Sequence, residues 1–424
     1  GTGHPVSSAP IVNGAVHIAR GKLEYVGPRL EAAKLRGTAI MDTTGLHVYP
    51  GLVNAGTSLG LEEIQSVQGT IDTTEIADFQ PDLQAVWAYN PFSAIIEVAR
   101  SEGITSALVL QAGGTVSSRT GVVHLDGWSM QETLVASPLT LRIELPSLPT
   151  EFPDDMQEDR KAELKRAHRK QLALIEEFFD RATHYAKVSR LAKDNSSLAP
   201  KRDGRLEAMI PYLTGDAPVL MNANSYKQIR EALEFARRYK LRPILFGARE
   251  AWKLAEELAK EKLDVIFCRT TSYPGGKFEP WDSVYSSPAA LDGAGVWFCI
   301  AVSDPELSKQ LGVEAGLAVA YGLNEETALR AITQTPAEML GIGERVGTLE
   351  VGKMADVIVT TDSPLQAGNA VVAEFIAGKP IDLSNKHTRN DEMFHHRPAP
   401  NLGPEPTLRG PKPMRMKGAG EALK

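Results

Sequence analysis

Short apolar runs alternate with helix-like segments through the middle of the chain. The runs are ITSALVL (104–110), PVLMNANS (218–225), RPILFG (242–247), LDVIFC (263–268) and GVWFCIAVSD (295–304). After the second run, Ile229, Leu233 and Ala236 recur at helical spacing, and AREAWKLAEELAKEK follows the third run with the same periodicity. Repeated strand–helix alternation predicts a parallel sheet with helices outside it, either open or closed into a barrel.

Both ends of the chain have a different pattern. Residues 11–49 contain GAVHIAR, KLEYVG and TAIMD between glycine turns, which is typical of short strands, and a β-type pattern returns after Gly341. The charge-rich segment 151–194 has helical periodicity and predicts a long helix or helical hairpin outside the sheet. The tail from about Ser384 is rich in proline, so we expect it to be extended and packed along the barrel or a neighbouring subunit.

The composition limits the classes of function. The chain has 424 residues, of which 42% are apolar and 23% charged, and its net charge is −7. This length accommodates one large domain and a smaller satellite. The acidic balance predicts that nucleic acid is not a partner, and no apolar run approaches the ~20 residues of a membrane helix. Cys268 and Cys299 lie in apolar runs, which predicts buried structural thiols.

The compartment is left open by the sequence. The first residues, GTGHPVSSAP, contain neither a methionine nor an apolar signal segment. They fit a processed or trimmed amino terminus. We expect a soluble protein, either exported after signal removal or cytoplasmic.

Two motifs carry a resemblance to a known family. They are VYPGLVNAGTSLGL (48–61) and AITQTPAEMLGIGERVGTLEVGKMADVIV (331–359), and LDGAGVWFCIAVSD is similar to a last barrel strand with its terminal aspartate. On these residues the chain resembles the amidohydrolase superfamily, in particular its imidazolonepropionase-like members. The resemblance implies an α/β fold, with a (β/α)8 TIM-type barrel at 50–345 and a small composite β-sandwich of 1–49 and 346–383. The insertion 151–194 and the tail 384–424 fall outside the resemblance.

The metal ligands implied by this resemblance are largely replaced. The family's chemistry uses a divalent cation that lowers the pKa of a bound water, with histidines from strands one, five and six and an aspartate from strand eight. Here the first-strand pair falls on Gly56 and Ser58. The fifth-strand position falls on Asn222, and the sixth on or beside Gly247. Glycine has no ligand atom, and neutral oxygens are weak ligands. We therefore expect no tight zinc site and no other cofactor.

The spacing of the nine histidines does not indicate another metal site. The sequence contains no His-x-His and no His-x3-His. His47 precedes Gly56 by a whole strand, so we expect it at the far end of the barrel. His124, which follows a glycine-rich loop, is the histidine expected near the mouth. A serine hydrolase built on Ser58 would need a histidine partner, and none is in view.

Asp304 is the one aspartate retained at a ligand position, and it ends an apolar strand at the face where barrel enzymes keep their sites. We predict that it is catalytic, as a residual general base or a weak ligand. The alternative is an aspartate that caps the next segment or pairs with an arginine. Because a buried unpaired carboxylate is costly, we expect Arg249, Arg269 or at least two N–H donors close to it.

Other strand ends supply candidates for binding a small-molecule ligand. The loop QAGGTVSSRTGVVHLDGW could present N–H groups and a guanidinium to an anion, or be a plain connector. Asn222 could bind a substrate amide or fill space left by an imidazole. Arg249 and Arg269 could bind a carboxylate or be solvated, and segment 271–288 is either a lid or a core-packed loop. The candidates within the glycine-rich loop are Gly113, Gly114, Ser118 and Arg119.

By resemblance, the sequence predicts a hydrolase of non-peptide C–N bonds whose activity is altered or lost. The alternative is a non-catalytic pseudo-enzyme that binds a ligand or stabilises an assembly. The expected assembly is a homo-oligomer or a complex with an active paralogue. The substrate is left open because specificity loops vary freely on this fold.

Overall fold

The computed structural model describes residues 1–29, 39–64, 66–111, 113–149, 152–276 and 278–398. The chain divides into two compact units, residues 1–386 and 387–424. The strands are β1 (Thr2–Gly3), β2 (Ile11–Val12), β3 (Gly14–Ala19), β4 (Lys22–Pro28), β5 (His47–Pro50), β6 (Leu52–Thr57), β7 (Ile104–Val109), β8 (Val116–Arg119), β9 (Gly121–His124), β10 (Leu134–Ala136), β11 (Leu141–Glu144), β12 (Val219–Ala223), β13 (Pro243–Gly247), β14 (Asp264–Cys268), β15 (Phe298–Ala301), β16 (Val357–Thr360), β17 (Val371–Ile376) and β18 (Lys379–Pro380).

The helices lie mainly between and after the central strands. They are α1 (Ala94–Arg100), α2 (Met130–Thr133), α3 (Glu158–Ala192), α4 (Gly204–Leu213), α5 (Tyr226–Tyr239), α6 (Ala255–Lys260), α7 (Ser283–Ala294), α8 (Leu311–Ala320), α9 (Glu325–Ala331), α10 (Gln334–Met339) and α11 (Lys386–His395). Among the described residues, none of these helices combines the length and apolar character needed to cross a bilayer.

The predicted apolar runs form parallel strands. The order β11-β12-β13-β14-β15 is parallel throughout, and β6 pairs in parallel with β7. The runs are apolar at almost every position because side chains on both faces are covered. Helix α5 begins at a capping box on Ser225, and its predicted stripe of Ile229, Leu233 and Ala236 is buried against the sheet.

The regular strand–helix alternation fails between β7 and β11. Strands β8 and β9 are consecutive in the chain, and β8 pairs antiparallel with β11 while β9 pairs antiparallel with β7. Residues 110–115 between β7 and β8 are too few for a helical crossover, so the chain turns back directly. At the other edge, the Asn54 amide donates to the Val302 oxygen at 2.9 Å and its oxygen accepts from the Val302 N–H at 3.1 Å. These bonds join β6 to the chain just after β15.

The two faces of the central strands bury different side chains. One face, here called the interior face, carries a cluster of side chains from β12 to β15 that packs together with Met339 of α10. Its strand members include Leu220, Ile244, Phe246, Ile266 and Cys299. Alternate residues such as Met221, Leu245 and Phe267 pack against the helices. This alternation follows from the two-residue repeat of a strand.

Strands from both chain ends share one further sheet. Its order is β18-β17-β16-β5-β1-β2, with β5 pairing antiparallel to β16. The hairpin β3–β4 packs on it through Leu23, which shares a cluster with Val48 and Val357. The strand expected at TAIMD is not observed at residues 39–42, and Thr38 lies outside the described residues.

The insertion and the tail differ in outcome. The periodic segment 151–194 is mostly one helix, α3, from Glu158 to Ala192. The prediction of an extended tail from Ser384 is wrong for its first part, because Lys386–His395 form helix α11. The reason is that the prolines begin only at Pro398, so every N–H of the preceding turns is available for helical bonds. Residues 399–424 lie outside the described residues.

Candidate functional site

The carboxyl ends of the first and last central strands lie side by side. The N–H of Ser58 and the hydroxyl of Thr57 both donate to the main-chain oxygen of Ser303, each at 3.3 Å. Carboxyl ends of parallel strands are the usual place for sites in such folds. The first-strand ligand positions and Asp304 are therefore neighbours at this end.

Gly56 has no room for a side chain. A Cβ built on it would lie 2.4 Å from Cε2 of Phe246 and 3.0 Å from Cδ2 of Leu110. Phe246 is 5% exposed and belongs to the interior face. The aromatic ring thus fills the space beside the position where the resemblance implies a histidine. An imidazole could enter only if the ring moved, which a packed interior resists.

The sixth-strand position is closed in another way. Gly247 has a φ of +91°, in the region that favours glycine, and a Cβ there would lie 2.5 Å from Oδ1 of Asn224. Asn222, at the fifth-strand position, is partly exposed and pairs in register with Phe246, so its side chain shares the interior face. This end of the strands therefore offers an amide and an aromatic ring at the positions where the resemblance implies imidazoles.

The side chains present do not fit a tightly held cation. Across the described ranges, no group of three or more His, Cys, Asp or Glu side chains is arranged to hold a metal ion. His124 is not near the mouth: it pairs with Ser106, and its Nε2 lies 3.0 Å from Oδ2 of Asp356. That expectation is wrong because β9 runs antiparallel to β7 and ends at the amino-terminal side of β7.

Asp304 is held by main-chain donors. Its Oδ1 accepts hydrogen bonds from the N–H groups of Glu306 at 3.0 Å and Leu307 at 3.2 Å. Its main-chain oxygen accepts from the Ser308 hydroxyl at 3.0 Å. Two N–H donors were one of the expected arrangements; neither Arg249 nor Arg269 forms an ion pair with it among the described contacts. The geometry is that of a cap on the turn before α8, and the catalytic role stays a prediction.

We expect Asp304→Ala to lower the free energy of unfolding by about 1 kcal/mol, the usual effect of removing such a cap. Asp304→Asn should retain most of the stability, because an amide oxygen can accept the same N–H bonds. Urea unfolding of the three proteins measures this difference. Equal losses for both variants would show that the negative charge, and not the acceptor, is what matters at this position.

The interior face also carries an ion pair that was not singled out from the sequence. Arg142 pairs in register with Leu220, and Glu144 with Asn222, so both charged side chains point to the face of Phe246. Nη2 of Arg142 lies 2.5 Å from Oε2 of Glu144. Burial lowers the pKa of the Arg142 guanidinium, and the Glu144 carboxylate opposes this effect. The alternation Leu-Arg-Ile-Glu is the signal that could have revealed this pair.

Part of the glycine-rich loop lies beside Arg142. Nη1 of Arg142 contacts the main-chain oxygen of Gly113 at 3.5 Å. Ser117 and Ser118 occupy the stretch of β8 opposite Arg142, and both hydroxyls are buried without a hydrogen-bond partner among the described residues. Gly114, with a φ of +81°, provides the turn into β8. The structure therefore brings Gly113 into contact with Arg142, places Ser118 on the neighbouring strand β8, and pairs Asn222 with Glu144.

Arg119 lies on the opposite face. It pairs in register with Leu141, which packs on the helix side. Its Nη2 donates to the main-chain oxygen of Asp82 at 2.7 Å, and its Nε donates to that of Leu83 at 3.4 Å. Arg119 is engaged in holding this preceding loop and is not grouped with the interior residues.

Arg249 lies under the loop that follows β14. A Cβ on Gly275 would lie 2.2 Å from Oε1 of Glu250 and 3.4 Å from Nη2 of Arg249. Glu250 is 1% exposed, and its Oε2 accepts from the N–H of Tyr226 at 2.7 Å and contacts Nζ of Lys253 at 3.2 Å. Arg249 and Glu250 therefore both lie beside this loop, and among the described contacts Arg249 forms no ion pair with Asp304.

Arg269 directly precedes two threonines that bind the buried carboxylate of Glu314. Its φ is +62°, and its N–H donates to the oxygen of Ala301 at 3.2 Å. The Thr270 hydroxyl donates to Glu314 at 2.5 Å, and the Thr271 N–H donates to Glu314 at 2.9 Å. The left-handed conformation of a non-glycine residue is held by these bonds on the adjoining residues. A ligand role for Arg269 stays a prediction.

The chain is similar to known amidohydrolases. The family model described as the amidohydrolase family matches residues 300–381, which include the motif around Ala355-Asp356. A curated relative, amidohydrolase tasK of Hapsidospora irregularis, is 23% identical over 421 residues, an alignment that covers 89% of this chain and 41% of the relative. The chain thus spans less than half the length of that relative.

Solved structures agree on the fold. An amidohydrolase from Thermotoga maritima MSB8 has a TM-score of 0.78 and 24% identity, covering 90% of this chain and 98% of its own. An adenosine deaminase from Xanthomonas campestris with bound zinc has a TM-score of 0.51 and 18% identity, covering 93% and 96%. The family model and the curated relative show a likeness to amidohydrolases, and the solved structures show a shared mixed α/β fold.

Proposed function

We propose that this chain is an amidohydrolase-family protein whose metal-dependent hydrolysis of non-peptide C–N bonds is altered or lost. The observation that carries the proposal is the position of the Phe246 ring. A Cβ at Gly56 would lie only 2.4 Å from this ring. A histidine at the first-strand position would need this space. The positive φ of Gly247 and the amide of Asn222 support the same conclusion for the other ligand positions.

The proposal includes the finer architecture. The reciprocal bonds between Asn54 and Val302 support closure of the central strands into one (β/α)8-type barrel with an antiparallel segment at β8–β9. The sheet shared by β5 and β16 supports a composite β-sandwich from both chain ends. An imidazolonepropionase-like subtype rests on the sequence motifs.

A second candidate function is a non-catalytic subunit that binds a ligand or stabilises an assembly with a second copy or an active paralogue. The loop after β14 favours it, because Tyr273, Phe278 and Trp281 are 88%, 84% and 69% exposed. These aromatic side chains are therefore not packed in the core. Large apolar side chains exposed together are typical of contact surfaces.

The proposal predicts that the purified protein loses zinc readily. After dialysis against a mild chelator, metal analysis should find far less than one zinc per chain, because no imidazole set is available to hold it. The zinc-containing adenosine deaminase from Xanthomonas campestris, treated in parallel, is the control for the dialysis. Stoichiometric zinc retained by this chain would refute the proposal.

A further inference from the structure

Arg142 is a buried cation whose hydrogen-bonding capacity is only partly used. Its side chain is 4% exposed, and its Nε has no hydrogen-bond partner among the described residues. Nη2 is bound to Glu144, while the one contact of Nη1 among the described residues is with the Gly113 oxygen at 3.5 Å. A buried N–H without an acceptor costs stability, so its persistence needs a reason.

Glu144 differs from Arg142 in its access to solvent. The Glu144 side chain is 42% exposed, although its partner is almost fully buried. A carboxylate that is nearly half in water can exchange the guanidinium for water at low cost. Arg142 cannot turn to water in the same way, because its side chain is only 4% exposed. The same burial lowers the pKa of its guanidinium. The two members of the pair therefore differ: Arg142 is held in the interior, whereas Glu144 can leave Arg142 for solvent and be replaced by another anion.

The groups around Arg142 offer further hydrogen bonds. The Ser118 hydroxyl is fully buried and has no partner among the described residues, and it lies on β8 opposite Arg142. The Asn222 amide lies next to Glu144 across β11–β12. A single guanidinium with neighbouring neutral donors suits a planar monoanion, since its fork binds a carboxylate through two parallel N–H bonds. A dianion would require more positive charge.

We infer that the interior face binds the carboxylate of a small organic acid, with Arg142 as the recognising residue and Glu144 as the internal carboxylate that the ligand displaces. The inference rests on the proposed function, since it uses the same end of the barrel, but it requires no metal. The Arg142 Nε and Nη2 groups donate hydrogen bonds to the two ligand oxygens, and Ser118 and Asn222 supply further donors.

The test uses the full chain after chelator dialysis. The thermal unfolding midpoint is followed with increasing sodium acetate, with sodium chloride and acetamide as matched controls, and the concentration dependence gives the dissociation constant. We expect acetate alone to stabilise the protein. Glu144→Gln should bind acetate about fivefold more tightly because the competing charge is gone, and Arg142→Met should bind it at least tenfold more weakly. Arg119→Met removes a positive charge from the face opposite the interior face. It should change the dissociation constant for acetate less than about twofold.

Four outcomes would overturn the inference: equal effects of acetate and acetamide, no acetate binding by Glu144→Gln, an acetate effect seen only before chelation, or unchanged binding by Arg142→Met. If Arg142→Met does not fold, Glu144→Gln still decides, since it retains Arg142. Failure of the proposed function is seen separately, as stoichiometric zinc retained after dialysis against the chelator, whatever the acetate titration shows.

Discussion

Replacing Gly56 by alanine is expected to destabilise the protein by about 2 kcal/mol, the usual cost of adding a methyl group to a filled interior. The added Cβ would lie 2.4 Å from the ring of Phe246, and ring carbons cannot move aside as the end of a flexible chain can. The conformation of Gly56 does not require glycine, because its φ is outside the left-handed region. The effect therefore measures the space that the ring occupies.

The control is Gly69→Ala, because a Cβ on this exposed glycine meets nothing within 4 Å. We expect its stability to change by less than about 0.5 kcal/mol. The double variant Gly56→Ala, Phe246→Leu should lose less stability than the sum of the two single variants. The smaller leucine leaves space for the added methyl group, and the methyl group fills part of the space left by the ring. Urea unfolding of the four proteins gives the coupling. Strict additivity would show that Phe246 does not limit this position and would remove the main support for the proposed function.

Replacing Glu374 by glutamine is expected to stabilise the protein by about 2 kcal/mol at pH 8, the scale of a buried charged group left without a partner. Glu374 is 1% exposed on β17, and neither of its oxygens has a hydrogen-bond partner among the described residues. Burial raises the pKa of Glu374 well above its usual value; Arg100 opposes this shift and Asp356 adds to it. The folded protein therefore favours the protonated form of Glu374 more than the unfolded chain does.

The pH dependence follows from this direction. Above the ordinary glutamate pKa the unfolded chain has released this proton while the folded protein still holds it, so stability falls as pH rises towards the folded pKa. The wild-type protein and Glu374→Gln should have similar urea midpoints near pH 4 and separate progressively up to pH 8. Glu234→Gln, on the exposed side of α5, should show no such separation. Parallel curves for the wild-type protein and Glu374→Gln would refute the buried, unpaired state of this carboxyl.

Much of the fold was determined by local sequence. The apolar runs became β7, β12, β13, β14 and β15 because only strands covered on both faces are apolar at nearly every position. The stripe on α5 and the capping box at Ser225 act within a few residues. The β-type motifs near both chain ends likewise indicated strands. GAVHIAR and KLEYVG formed the separate hairpin β3–β4, and the pattern after Gly341 included β16 of the sheet that both chain ends share. In each case the deciding interactions lie within one element or repeat along it.

The site depended on contacts between distant residues. Gly56 and Phe246 meet only because β6 and β13 belong to the same interior, and nothing near Gly56 in the sequence indicates an aromatic neighbour. The position of His124 was misjudged because the antiparallel direction of β9 is decided by its pairing with β7. The alternation Leu-Arg-Ile-Glu indicates that Arg142 and Glu144 share one face of a strand. Which face of the sheet this is depends on the pairing of β11 with β12.

The sequence by itself determined most of the strands, the main helices and the likeness to amidohydrolases, and it led to the prediction that the metal ligands implied by this likeness are replaced. Only the tertiary structure decided that the ring of Phe246 lies beside Gly56, which charges are buried, and that Asp304 is held by N–H groups of Glu306 and Leu307. The physical reason is that periodicity and turn chemistry are local, whereas packing, burial and the partners of a buried charge depend on which strands become neighbours.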